Sequence, residues 1–315
     1  MRSQRHNVLS RLGRACLSIV AASSFLTACS NNSSGSSSIT PEGTSEGIAY
    51  DGYLFRALVC IDRDLDKVCD AAEPSDVTRA GGVFEIDDLT DAELQWPLIL
   101  EPTEDTVDED GNTQVDDNLK FTAPPGSQAI SALSTIIQSR IESALAAGST
   151  ASLATLRQQA NSQLAQELDA GSINLTNFDP IATKTSGLAD NVTRELAAKI
   201  HLVNQILTEQ IIILKPQAES LAPDNPRAAF GAVIKKLNAA AVKNAVDNDL
   251  RVFAIEDRIV ATRNQIVSDS TPSVPTLLEI QEQAAEDELA EDAYRQRVND
   301  DPTGGTGTSG GSGTE

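Results

Sequence analysis

Leu54-Phe55-Arg56-Ala57-Leu58-Val59-Cys60-Ile61 runs straight into Asp62-Arg63-Asp64-Leu65-Asp66-Lys67-Val68-Cys69-Asp70-Ala71-Ala72-Glu73. The first segment is largely apolar and partly alternating, which is the pattern of a strand. The second carries an acid at every other place at its start and cannot enter a core, so it reads as a loop between strands. Working outward, Ala80-Gly81-Gly82 is a turn and Val83-Phe84-Glu85-Ile86 a short strand. Pro97-Leu98-Ile99-Leu100 and Leu119-Lys120-Phe121-Thr122 are two further strands. Short strands broken by Gly, Pro and Asp predict a small antiparallel β-sandwich over residues 47–126.

After Ser127 the period changes to that of helices. Ile130, Leu133, Ile137, Ile141 and Leu145 share one helical face, with Ser127 as the expected N-cap and Gly148 as the stop. A second helix carries Leu153, Leu156, Leu164 and Leu168 and ends at Gly171. A third is expected over Leu188 to Leu214, with Val192, Leu196, Ile200, Val203, Leu207 and Ile211 inward and Lys215-Pro216 as its stop. A fourth starts near Pro226 with Phe230, Val233, Ile234 and Leu237, and a fifth, near Leu250 to Val267, holds Phe253, Ile259 and Ile266. The last, Thr276 to Val298, is acidic, with Leu278, Ile280, Ala284 and Leu289 as its apolar positions. Residues 127–298 are therefore expected to form a mainly α-helical bundle, and the fold class is α+β.

The acids of the 62–73 loop fall at its first, third, fifth, ninth and twelfth places. That is the ligand spacing of an EF-hand-type calcium loop: alternating carboxylates turn inward around a hard cation. The expected ligands are Asp62, Asp64, Asp66, the Val68 carbonyl, Asp70 and a closing Glu73. The pattern wants Gly at the sixth place for a bend with positive φ, and this chain has Lys67. A lysine there bears about 1 kcal/mol of strain and brings a positive charge. The expectation is modest affinity for Ca2+, and stronger binding in Lys67→Gly. The alternative is an acidic, solvated loop. A second acidic run, Asp105 to Asp117, starts like such a loop but has no acid at its twelfth place, so it reads as a solvated hairpin.

Cys60 precedes the calcium-type loop and Cys69 lies inside it. In an oxidising compartment this pair reads as a disulfide that closes a ring around Asp62, Asp64 and Asp66. A zinc site would need further soft ligands nearby.

The run from Gly52 to Phe84 resembles the carboxypeptidase-regulatory-like, or transthyretin-like, sandwich modules of bacterial surface proteins. The resemblance rests on Ala57, Val59, Glu73-Pro74-Ser75, Thr78, Gly82 and Phe84. It implies a sandwich fold and a spacer or binding unit in place of a catalyst. The Ser-Ala-Leu-Ser-Thr-Ile-Ile run starting at Ser131 is similar to the segment that follows such modules in several bacterial surface lipoproteins.

At the other end, Arg2, Arg5, Arg11 and Arg14 form a positive leader, and Ala15 to Leu26 is a short apolar run. It is too short to span a bilayer and has the make-up of a signal peptide. Leu26-Thr27-Ala28-Cys29 resembles the lipobox of bacterial lipoproteins. The resemblance implies cleavage after residue 28 and lipidation of Cys29. Ser30 in the next position implies export to the outer membrane, on its periplasmic or surface side. Residues 29–46 then read as a flexible tether and residues 299–315 as a disordered tail.

The chain carries a net charge of −22. Residues 1–28 hold four Arg and no acid, so the remainder stands at about −26. Such a surface repels nucleic acid and attracts divalent cations. Catalytic patterns are lacking: outside the leader there is a single His, His201, and no P-loop, dinucleotide-binding turn or HExxH. A two-carboxylate glycosidase normally adds aromatic platforms, and Trp96 is the only Trp. The expected function is a non-catalytic, calcium-stabilised envelope lipoprotein. It is anchored to the membrane through Cys29 and used for adhesion, matrix or partner-protein contact. The alternative is a subunit that binds a hydrophobic ligand or assists an outer-membrane transporter.

Overall fold

The computed structural model describes residues 43–249 and 257–300. Expectations for the leader, for Cys29, for Phe253 and for the tail beyond Asp300 lie outside the described residues, as does the side chain of Ile259. The architecture of the described residues is mixed: three small sheets come first and eight α-helices follow.

The first sheet has the order β10 (Ala129–Ile130), β1 (Gly43–Ala49), β5 (Val83–Leu89). Strand β1 starts inside the stretch expected to be tether. It pairs antiparallel with β5 and parallel with β10. Its polar residues hide this from hydropathy, because backbone pairing to two neighbours holds it. Gly47 is needed there, since a Cβ would come within 2.6 Å of the Gln128 carbonyl oxygen. The second sheet joins β2 (Leu54–Phe55) to the hairpin β7 (Val107–Asp108) and β8 (Thr113–Gln114). The acidic run from Asp105 is thus a hairpin. The third, wholly antiparallel, has the order β4 (Ser75–Val77), β3 (Leu58–Ile61), β6 (Leu98–Glu101), β9 (Phe121–Ala123). The expected single strand from Leu54 to Ile61 is split at Arg56, where φ is +63° and the chain leaves one sheet for another.

Helix α1 (Ala132–Ala146) is the hub. It lies against β9 and β10 and meets α2 (Leu153–Glu167), α4 (Asn191–Leu221), α5 (Pro226–Lys236) and α8 (Leu277–Asp300). Its cap is Ser131, four residues later than expected, in a reciprocal capping box with Ser134. Ser127 instead closes a turn through its hydroxyl on the Pro124 carbonyl. Ser134 and Thr135 stitch α1 to β9: Ser134 donates to the Thr122 carbonyl at 2.8 Å, and the Thr122 amide donates to Thr135 Oγ1 at 2.9 Å. Phe84, Leu98 and Phe121 from the sheets share one core with Leu133, Ile137, Ile206 and Phe230 from the helices.

Three helical expectations are corrected. Helix α4 does not stop at Lys215-Pro216 but runs on to Leu221. Leu214 and Ala218 on either side of the proline pack with Ala228, Ala229, Val233 and Ile280, and this burial outweighs the roughly 3 kcal/mol cost of an interior proline. Its start is at Asn191, capped by the Asp190 carboxylate, so Leu188 and Val192 stand exposed outside the core. In α8 the buried face is Ile280, Gln283, Asp287, Ala290, Tyr294 and Val298, while Leu278 and Leu289 face solvent. Two polar residues in the middle of that stripe obscure its period. Two further helices, α3 (Pro180–Thr185) and α6 (Ala239–Asp249), were not expected. The first has a readable signal in Asp179-Pro180, a capping carboxylate followed by proline at the first helical place. Helix α7 covers Asp257–Ser270, and Ile266 is buried as expected.

Candidate metal centre

The 62–73 loop leaves β3 and returns to β4. Its neck is closed by the Ile61 amide on the Pro74 carbonyl at 3.0 Å. Cys60 and Cys69 are bonded, with Cα atoms 5.7 Å apart, so the expected disulfide is present. It ties the middle of the loop to the strand and reduces the entropy of ordering the residues between.

Inside the ring the backbone turns tightly. The Asp66 amide donates to Asp64 Oδ1 at 3.3 Å, and the Val68 amide to Asp66 Oδ1 at 2.7 Å. The Lys67 amide donates to Asp62 Oδ2 at 3.3 Å. Leu65 and Lys67 both have positive φ, 63° and 64°, so the sixth place adopts the conformation that favours glycine. Leu65 is 2% exposed and pins the loop to the core.

Asp62, Asp64 and Asp66 each offer a carboxylate oxygen within 4.8 Å of the others. Asp70 and Glu73 are not part of this group. Glu73 closes the loop by accepting the Arg63 amide at 2.7 Å and the Asp70 amide at 3.2 Å. Asp62 is 1% exposed, and its Oδ1 is buried without a hydrogen-bond partner. Burial pushes its carboxyl up to about 8, with Glu73, Asp66 and Glu142 adding repulsion and Lys67 opposing them. Burial also raises Asp66 and Glu73, against the backbone amides that each accepts. A buried, unpartnered carboxylate oxygen among like charges is relieved by a proton or by a cation. Three hard oxygen ligands suit Ca2+ or Mg2+ rather than a soft metal.

Lys67 does not lie over this cluster. Its side chain is 6% exposed and turns into the helices, where Nζ meets Glu142 of α1 at 2.9 Å and Asp287 of α8 at 3.7 Å. Burial pulls its pKa down, but the two carboxylates outweigh burial and hold it above the ordinary lysine value. Gln138 donates to Glu142 and Gln283 to Asp287, both at 2.8 Å. Glu142, Asp287 and Gln283 escaped sequence reading because they look like surface residues of helices. The only local signal was a lysine where the loop pattern wants glycine.

A second polar cluster gathers around His201 on α4, which is buried. Lys184 of α3 donates to His201 Nδ1 at 2.7 Å, and His201 Nε2 donates to the Asp51 carbonyl at 2.5 Å. Asp110 Oδ2 lies 3.6 Å from Nε2, and Asp179, held by the Tyr53 hydroxyl, is close by. Burial and then Lys184 lower the imidazole to about 4, against the Asp51 carbonyl, Asp110 and Asp179. The unfolded chain protonates near the ordinary histidine value, roughly 6.5. Below that pH it takes up a proton that the folded chain refuses, so this group costs stability as pH falls from about 6.5 towards about 4. His201→Gln keeps a donor for the Asp51 carbonyl and should remove this part of the acid sensitivity. Melting curves between about pH 7 and pH 4.5 check it, and identical pH slopes in variant and wild type would count against the assignment. Beside this cluster a 210 Å³ cavity is lined by Asp51, Asp108, Asp116, Thr208 and Glu209. Burial raises Asp51 to about 8, with the nearby Thr208 hydroxyl opposing it and Asp108 and Glu209 adding repulsion.

No helix among the described residues is long and apolar enough to cross a membrane. Compared with protein-family models, with curated proteins and with solved structures, the chain has no match.

Proposed function

We propose that this chain is a calcium-stabilised, non-catalytic lipoprotein of the bacterial envelope, serving adhesion, matrix or partner-protein contact. The observation that carries the calcium reading is that Asp62, whose Oδ1 is buried without a partner, belongs to a group of three carboxylates that each bring one oxygen within 4.8 Å of the others. Asp62, Asp64 and Asp66 would hold the ion, the Val68 carbonyl and Asp70 would complete its shell, and Glu73 would close the loop. The ion would neutralise charge that the fold otherwise carries unpaired. Thermal melts test this reading. Calcium should raise the melting temperature, and magnesium should raise it less because it demands a smaller octahedral shell. No response to calcium, or an equal response to both ions, would remove it.

We infer that the β region is a module of the carboxypeptidase-regulatory-like kind, a reading supported by Ala57, Val59, Glu73-Pro74-Ser75, Thr78, Gly82 and Phe84. The envelope location rests on the arginine-rich leader, the short apolar run and Leu26-Thr27-Ala28-Cys29. Two or three acyl chains on Cys29, at about 0.8 kcal/mol per buried CH₂, would give a lasting anchor to the outer membrane without a spanning helix. Cys29→Ser should move the protein from the membrane fraction to soluble or unprocessed forms, and unchanged membrane fractionation would refute the anchor. The alternative of a hydrophobic-ligand carrier draws little support from the cavity beside α4, where Asp51, Asp108, Asp116 and Glu209 share the lining with Leu54 and Ile212.

A further inference from the structure

We propose that α8 is a strap whose docking is coupled to cation occupancy of the 62–73 loop. This rests on the calcium reading above and adds a regulatory consequence to it. Two residues of the loop face both ways. Asp64 contributes its carboxylate to the acidic group, while its backbone carbonyl accepts Arg295 Nη2 of α8 at 3.1 Å. Lys67 gives its amide to Asp62 and its ammonium to Asp287 of α8. The turn that gathers the carboxylates is therefore the same turn that presents a carbonyl and a lysine to the strap.

A third contact lies next to these. Tyr294 of α8 stacks on Trp96 with ring centroids 5.6 Å apart, and the Arg295 guanidinium lies 5.7 Å from the Trp96 ring. At alkaline pH and without a cation, repulsion among Asp62, Asp64 and Asp66 works against this turn. With one, the turn is favoured and the docking points for α8 are set. Linkage makes the effect reciprocal: an undocked strap must weaken the loop's hold on the ion by the same factor. Because α8 also packs on α1 and α5, the coupling should be partial.

The test uses the intact chain, with calcium as the probe and Trp96, the only tryptophan, as an optical reporter. Hydrogen exchange is measured in α8 and, for comparison, in the C-terminal half of α2, away from the Arg297 contacts to the Ser149 and Ala151 carbonyls. Calcium should slow exchange in α8 at least about tenfold more than in α2 and should change Trp96 fluorescence. Arg295→Ala leaves every carboxylate in place, and its calcium Kd should rise about five- to tenfold, within the usual range of coupling between sites. Calcium binding with equal slowing in α2 and α8, or with an unchanged Kd in Arg295→Ala, would overturn the strap and leave the calcium site standing. Absence of calcium binding to the wild-type chain would overturn both. The wild-type exchange comparison decides the matter even where the variant fails to fold.

Discussion

Lys67→Gly is expected to destabilise the protein by about 3–5 kcal/mol, the usual cost of removing one partner from a buried ion pair. The pattern of the loop, which expects stronger calcium binding in Lys67→Gly, takes in only the relief of a positive φ worth about 1 kcal/mol and the removal of a positive charge. For stability the sign is the reverse, because the lysine side chain is only 6% exposed and lies against Glu142 and Asp287. Asp287 would keep Arg227 at 3.8 Å, but Glu142 would be left with only the Gln138 amide. The loss of a buried counter-charge is several times the strain relieved, so it wins. For a chain of this size each kcal/mol moves the melting temperature by roughly 2–4 °C, so the shift should be on the order of 10 °C. Urea unfolding at neutral pH measures it directly. Combining Lys67→Met with Glu142→Gln and Asp287→Asn should recover much of the loss, because the charges are then removed together. A Lys67→Gly protein as stable as wild type would show that the ion pairs contribute nothing.

That reversal marks where sequence reading succeeds and where it stops. The spacing of Asp62, Asp64 and Asp66 and the Cys60–Cys69 pairing were legible because the residues are close in sequence and turn geometry follows from local chemistry. The helical stripes of α1 and α2 were legible because Leu133, Ile137, Ile141 and Leu145, and then Leu153, Leu156 and Leu164, recur at helical spacing and are buried, although Ile130 belongs to β10 and not to the helix. The partners of Lys67 were not, since they stand 75 and 220 places along the chain and carry charges normally found on surfaces. The same non-local meeting explains α8, whose inward face contains Gln283 and Asp287 where a periodic reading looks for Leu278 and Leu289. Strand β1 and the passage of α4 through Pro216 were hidden for a related reason. Pairing with two strands, and packing against α5 and Ile280, override local propensity.

Asp62→Asn should abolish the stabilisation that calcium gives, and without calcium it should melt no lower than wild type near pH 8. The first half follows from losing the buried charge that faces the ion. At a hundredfold excess over Kd a bound ion stabilises by about 2.7 kcal/mol, which is the increment the variant should lack. The second half follows from linkage. The folded Asp62 carboxyl is raised to about 8 and the unfolded one titrates near 4, so its contribution to stability is present at low pH and is lost as pH rises through about 8. An amide in that place carries no charge to bury. Calcium dependence should therefore be greatest at alkaline pH, where the ion has no proton to displace. An Asp62→Asn protein with the full calcium increment would place the ion elsewhere.

Isothermal titration of calcium into the oxidised wild-type protein, near pH 8 and with the Cys60–Cys69 bond intact, tests the central claim most directly. The predicted result is saturable binding of one ion per chain, lost in Asp62→Asn. No saturable binding up to millimolar calcium would contradict the account and leave the loop as a solvated acidic turn.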